Sequence, residues 1–167
     1  NSNSNCVGQC FVPNPIPCPL PVSRFVSPNG TGSGLTPFDP MGNIQAALNA
    51  SSFGDEVVLL NGVYNANVLN ANGKIITLRS FSNTSSCVIL DCAAGTGFVA
   101  NSGEDLRLTL KGFTFRNCFR AILISNFSAV TMENMQVINS TGNIIVSFAG
   151  NLKISNSIFR NNIINPI

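Results

Sequence analysis

The chain has no histidine, no tryptophan and a single tyrosine, with only nine basic and seven acidic side chains in 167 residues. Without histidine it lacks the side chain that most often serves as general base or transition-metal ligand. Its cysteines have no imidazole that could activate one of them as a nucleophile. Charged residues make up 10% of the chain and the net charge is +2, so no basic stripe interleaved with aromatics tracks a phosphate backbone. Nucleic acid is therefore not an expected partner, and no cofactor or metal is expected either. A run of about 18 apolar residues, the length that spans a membrane, is also missing.

What is present is a repeat. Leu108-Thr-Leu110-Lys-Gly112-Phe113-Thr-Phe115-Arg-Asn117 aligns with Val130-Thr-Met132-Glu-Asn134-Met135-Gln-Val137-Ile-Asn139 and with Leu152-Lys-Ile154-Ser-Asn156-Ser157-Ile-Phe159-Arg-Asn161, each offset by 22 residues. Apolar residues recur at 108/130/152, 110/132/154 and 115/137/159, and polar residues fill the places between them, the pattern of strands with alternating side chains. A period near 22 with two or three short strands per unit belongs to stacked-coil architectures, in which one unit buries its apolar face only against a neighbour. Ile76/Leu78, Phe98/Ala100, Ile122/Ile124 and Ile144/Val146, 22 or 24 residues apart, read as columns that persist from the earlier chain into the repeats. About five coils at about 4.8 Å give a stack of roughly 25 Å.

Residues 1–22 differ in composition. Cys6, Cys10 and Cys18 are followed through a stretch with Pro13, Pro15, Pro17, Pro19 and Pro21, which forbids a helix and favours an extended leader or linker. Residues 23–167 form the repeat domain. Cys87, Cys92 and Cys118 complete a set of six cysteines, and pairing within the leader and with one cysteine of the body is the simplest use of the first three. Cys92 and Cys118 fall near one corner of adjacent coils, where a disulfide staple is expected. Acceptor sequons begin at Asn29, Asn49, Asn83, Asn126 and Asn139. With the even cysteine count and the absent initiator methionine, they point to a secreted glycoprotein.

Asp39-Pro40 reads as a helix cap followed by proline at the first helical position. Met41, Ile44, Ala47 and Leu48 then share one face of an amphipathic helix of about ten residues, over about 40–50. The glycine-rich Ser27-Pro-Asn-Gly-Thr-Gly-Ser-Gly34 reads as an entry loop, because no Lys-Ser/Thr follows it as a phosphate loop requires.

The helix Asn43-Ile-Gln-Ala-Ala-Leu48, Gly54-Asp-Glu-Val-Val-Leu-Leu-Asn-Gly-Val-Tyr64, Val88-Ile-Leu-Asp91 and Leu110-Lys-Gly-Phe-Thr-Phe-Arg-Asn117 together resemble the N-terminal half of pectin-lyase-like right-handed parallel β-helix proteins. Among these, members with polymorphic outer-membrane-protein-type repeats are similar, and Phe159-Arg-Asn-Asn162 resembles their Phe-x-x-Asn motif. The companion Gly-Gly-Ala-Ile motif does not occur. The resemblance covers residues 24–162 and implies an all-β, right-handed parallel β-helix with an N-terminal capping α-helix. It also implies an inward asparagine ladder of Asn117, Asn139 and Asn161, so that Asn139 would carry no glycan and Asn29, Asn49, Asn83 and Asn126 remain the acceptors. The scaffold hosts lyases, hydrolases, adhesins and structural proteins alike.

The chemistry-bearing residues do not form a catalytic set. Asp39 reads as a cap, Asp55-Glu56 and Glu104-Asp105 as turn residues before strands, Glu133 as the surface partner of Lys111 one coil away, and Asp91 as isolated. Hydrolysis on this scaffold would need two or three convergent carboxylates. Arg116 and Arg160 are expected on the outer surface on either side of Ile138, and Thr109 stacks outward on Thr131 until Lys153 ends the column. The expectation is a non-enzymatic extracellular structural or adhesive domain. Its partners would be neighbouring β-helix coils or copies of itself at the C-terminal end, and extracellular polysaccharide. The competing expectation is the N-terminal part of a secreted polysaccharide lyase or hydrolase whose active coils lie beyond residue 167. A groove of surface aromatics would mark a carbohydrate binder, which one tyrosine and no tryptophan do not suggest.

Overall fold

The computed structural model describes residues 20–66 and 68–163. Strand β1 (Ser23–Val26) and helix α1 (Ile44–Ala50) precede four coils of three strands each. These are β2 (Glu56–Leu59), β3 (Gly62–Asn65) and β4 (Leu69–Asn70); β5 (Thr77–Ser80), β6 (Val88–Asp91) and β7 (Thr96–Ala100); β8 (Thr109–Lys111), β9 (Thr114–Arg116) and β10 (Arg120–Ile124); and β11 (Ala129–Glu133), β12 (Gln136–Ile138) and β13 (Ile145–Ser147). Strands β14 (Asn151–Ser155) and β15 (Ile158–Arg160) follow. Corresponding strands pair in parallel into sheet A (β1-β2-β5-β8-β11-β14), sheet B (β3-β6-β9-β12-β15) and sheet C (β4-β7-β10-β13). The result is a parallel β-solenoid of about five turns.

Each sheet sends apolar columns inward, because alternate residues of a strand face the same side. Val57, Leu78, Leu110 and Met132 stack in sheet A. Tyr64, Leu90, Phe115 and Val137 stack in sheet B, and Leu69, Phe98 and Ile122 in sheet C. All eleven are buried. The shared interior gives each coil the apolar contact it cannot make alone.

The 22-residue offset holds where the repeat is visible, with Thr131 opposite Thr109 and Lys153. It fails earlier, since Thr77 pairs with Thr109 across 32 residues. Consequently Leu78 belongs to the sheet A column while Phe98 lies in sheet C, and the expected column joining them does not exist. Ile122 likewise pairs with Ile145 rather than Ile144. Extra residues at the corners cause both shifts, because a corner absorbs an insertion that a strand ladder would not tolerate.

The capping helix is present but shorter than expected. Asn43 is its N-cap, accepting a hydrogen bond from Ala46 N at 2.8 Å, and Ile44, Ala47 and Leu48 are its buried face. Residues 39–41 are tied to β1 instead: Ser27 N donates to Met41 O, Met41 N to Phe25 O, and Val26 and Met41 form a bridge. Those main-chain bonds hold the segment extended, so Asp39 caps nothing helical, and its carboxylate accepts from Ser33 N and Oγ at 3.0 and 2.6 Å. Two side chains fasten the cap to the stack. The Gln45 amide donates to Asn70 O and accepts from Asn70 N, both at 2.9 Å, satisfying the edge of β4. Lys74 Nζ donates to the carbonyls of Leu48, Asn49 and Ser51 at the helix C-terminus, where a cation is favoured.

Candidate functional site on the outer face of the solenoid

The corners follow from backbone demands. Gly112, Asn134 and Asn156 turn the chain from sheet A to sheet B, and Asn117, Asn139 and Asn161 turn it out of sheet B, all with φ between 49° and 71°. Asparagine enters this left-handed region at lower cost than most residues. The expected inward ladder is corrected here: Asn117, Asn139 and Asn161 stack at one corner but are exposed. The bonding falls on the next residue, which points in. Ser140 Oγ accepts from Cys118 N at 3.1 Å. Asn162 Oδ1 accepts from Ser140 N at 2.9 Å, and its Nδ2 donates to Val137 O at 2.9 Å. With Asn139 exposed, the reason for excluding a glycan there falls away. Asn29, Asn49, Asn83 and Asn126 are exposed as well.

Cys92 and Cys118 form a disulfide between adjacent coils, with Cα atoms 4.8 Å apart. Cys87, partly exposed just before β6, is in no disulfide among the described residues. Cys6, Cys10 and Cys18 lie outside the described residues.

The seven carboxylates are all described, and each has a partner. Asp55 is buried and accepts from Val22 N and Ser52 N, both at 2.8 Å. Glu104, 1% exposed, accepts from Gly73 N at 2.8 Å and Ser102 N at 2.9 Å. Glu56 pairs with Arg79 at 3.0 Å and Glu133 with Lys111 at 3.1 Å. Asp91, which sequence left isolated, binds Arg116 at 2.7 Å and also accepts from Asn117 Nδ2 and Ala93 N. Asp105 holds Arg107 at 2.6 Å. Burial alone would raise the Asp91 pKa, but the Ala93 amide and the Arg116 guanidinium hold it below the usual range. Hydrogen bonds from Arg107 and Ser33 likewise lower Asp105 and Asp39. A general acid needs the opposite shift.

The outer face of sheet A carries a run of polar side chains. Glu56, Arg79, Lys111 and Glu133 line a shallow groove of about 450 Å³ together with Thr77, Thr109 and Asn83. Thr77, Thr109 and Thr131 stand in register along it. Thr77 was missed from sequence because the 32-residue offset hides it. On sheet B, Arg116 and Arg160 flank Ile138 as expected; Arg116 is occupied by Asp91, and Arg160 Nη2 donates to Gln136 Oε1 at 3.4 Å.

Sequence also missed the exposed phenylalanines. Phe38, Phe53, Phe81, Phe119, Phe127 and Phe148 are exposed while Phe98, Phe113 and Phe115 fill the core. No composition rule separates the two groups; the six lie at loops and corners, whereas Phe159, also exposed, belongs to the inward column of the last described coil. Among the described residues no helix is long and apolar enough to cross a membrane. No family model, curated protein or solved structure matches this chain.

Proposed function

We propose that the chain is a non-enzymatic structural or adhesive domain of a secreted or cell-surface protein, on a scaffold related to the pectin-lyase-like β-helices. The observation that carries this reading is the commitment of all seven carboxylates to main-chain amides, hydroxyls or basic side chains. Glycoside hydrolysis uses two carboxyl groups facing each other across a substrate, one of them kept protonated. Here the side chains that catalysis would need hold corners and neighbouring coils together.

The Cys92–Cys118 disulfide suits an oxidising compartment, and the exposed asparagines of the five sequons suit a glycoprotein. The last described coil exposes Ile154 and Phe159 of the inward columns, a surface on which further coils or a second copy would stack. Extracellular polysaccharide is the other partner class, offered a flat polar face by sheet A. Negative-stain electron microscopy of the protein isolated from its source tests the reading. Filaments, sheets or a coat on a polymer support it, and dispersed particles that turn over a uronate polymer overturn it.

A further inference from the structure

Phe127 is the side chain that the architecture explains least. It is 85% exposed, so it adds nothing to the core. Its backbone is left-handed, with φ 59°, next to Asn126 at φ 54°. The corner dictates that geometry but not the residue. Of thirteen non-glycine residues with positive φ among the described residues, eight are asparagine and Phe127 is the only aromatic. A bulky side chain in this region is strained and a large ring in water is unfavourable, and asparagine, the choice made elsewhere, would relieve both.

The ring overlooks a groove of about 400 Å³ at the corner between sheets C and A. Its apolar lining is Leu106, Phe127 and Ala129, and its polar lining is Glu104, Asp105, Arg107 and Asn151. Arg107 is held along one edge and over one face. Its Nε and Nη2 donate to the Asp105 carboxylate at 3.0 and 2.6 Å, and its guanidinium lies 5.2 Å from the centre of the Phe53 ring. The Asp105–Arg107 pair is thus preorganised and neutral, and the one remaining charge of the lining is the Glu104 carboxylate, held by the Gly73 and Ser102 amides. Exposed Phe148 follows on the same corner one coil further on.

An aromatic ring beside a fixed set of donors and acceptors with no unpaired cation matches a pyranose ring, which has an apolar C–H face and a rim of hydroxyls. A lipid or an apolar peptide would strip water from the exposed Asp105–Arg107 pair and from Asn151 with no hydrogen bond in return, at a cost. An anionic sugar would meet an arginine already neutralised.

We propose that this corner groove binds a sugar ring of a neutral polysaccharide, stacked on Phe127 and hydrogen-bonded to Asp105, Arg107 and Asn151. The inference rests on the adhesive reading above and specifies its ligand. The test is co-sedimentation of the full chain, after enzymatic removal of any N-glycan, with microcrystalline cellulose, chitin and insoluble β-1,3-glucan, and with polygalacturonate as the anionic comparison. Retention on at least one neutral polymer is expected, reduced roughly tenfold by Phe127→Ala and restored by Phe127→Tyr, as lost and regained stacking requires. Because the ring is exposed, unchanged circular dichroism and melting of F127A check that the fold persists. Retention that F127A leaves intact and Lys111→Ala abolishes would overturn this groove while keeping the adhesive reading on sheet A. Retention on no neutral polymer would overturn the inference, and the microscopy above decides the structural reading separately.

Discussion

Replacing Glu104 with alanine should destabilise the protein, although Glu104 reads from sequence as an ordinary turn carboxylate. Its two oxygens accept one main-chain amide each, from Gly73 at 2.8 Å and Ser102 at 2.9 Å. The first donor belongs to the preceding coil and the second to its own corner, so the carboxylate closes the corner and joins it to the coil below. A hydrogen bond to a charged acceptor contributes about 1.5–3 kcal/mol. Gly73 is only partly buried and Ser102 is exposed, so water recovers part of that, leaving about 2–3 kcal/mol lost in Glu104→Ala. Glu104→Gln keeps the volume and one acceptor but turns an NH₂ towards an N–H, and should lose about half as much. Urea unfolding followed by circular dichroism gives the order wild type, Gln, Ala. Amide hydrogen exchange should accelerate first at Gly73 and Ser102, since solenoid stability is summed coil by coil. If Glu104→Ala lies within about 0.5 kcal/mol of wild type, the range of ordinary surface substitutions, the structural role is refuted. A gain in stability would point instead to a carboxylate retained for function at the expense of stability.

Further outcomes follow from other sites. Ser80 is fully buried and its Oγ has no hydrogen-bond partner among the described residues; Ser80→Ala should therefore stabilise by about 1 kcal/mol, and a loss of that size in urea unfolding would contradict the assignment. The Cys92–Cys118 disulfide closes a 26-residue separation, so reducing it should cost about 3 kcal/mol, and mass mapping that places either cysteine with another partner would remove the basis of that figure. Against the effect of burial, the Ala93 amide and the Arg116 guanidinium lower the folded-state pKa of Asp91, so the ionised carboxylate contributes stability above the unfolded value near pH 4 and loses it as pH falls through the folded value, a change of under about 1 kcal/mol for a partly exposed group. Asp91→Asn should flatten that part of the stability profile, and an unaltered acid limb would disprove the link. Lys74→Met removes three carbonyl contacts at the end of α1 and should speed exchange in Ala47–Ser51 while leaving β11 and β12 unchanged.

The fold was legible where period and chemistry agree. From Leu106 to Asn162 the columns at 110/132/154 and 115/137/159 are the observed registers. Earlier coils were misaligned because the 32-residue offset between Thr77 and Thr109 adds length at corners, which no alternating pattern records. The asparagine column was visible, but its cause was not: Asn117, Asn139 and Asn161 are chosen for positive φ, and the inward bonds belong to Ser140 and Asn162. The Lys111–Glu133 pair and the Cys92–Cys118 staple were readable because each joins positions one coil apart. Asp39 misled, since a cap residue followed by proline looks the same whether a helix or an extended turn comes next. The groove at Phe127 was invisible, because hydrophobic patterning gives every phenylalanine to the core.

The central claim is that the carboxylates of this domain hold coils and corners rather than perform chemistry. The most direct test incubates the purified chain with polygalacturonate and neutral polysaccharides, with and without calcium, and follows reducing ends and the ultraviolet absorbance of unsaturated products. The account predicts no product above the blank. Product formation that disappears on Glu56→Gln, Asp91→Asn or Glu133→Gln would contradict it.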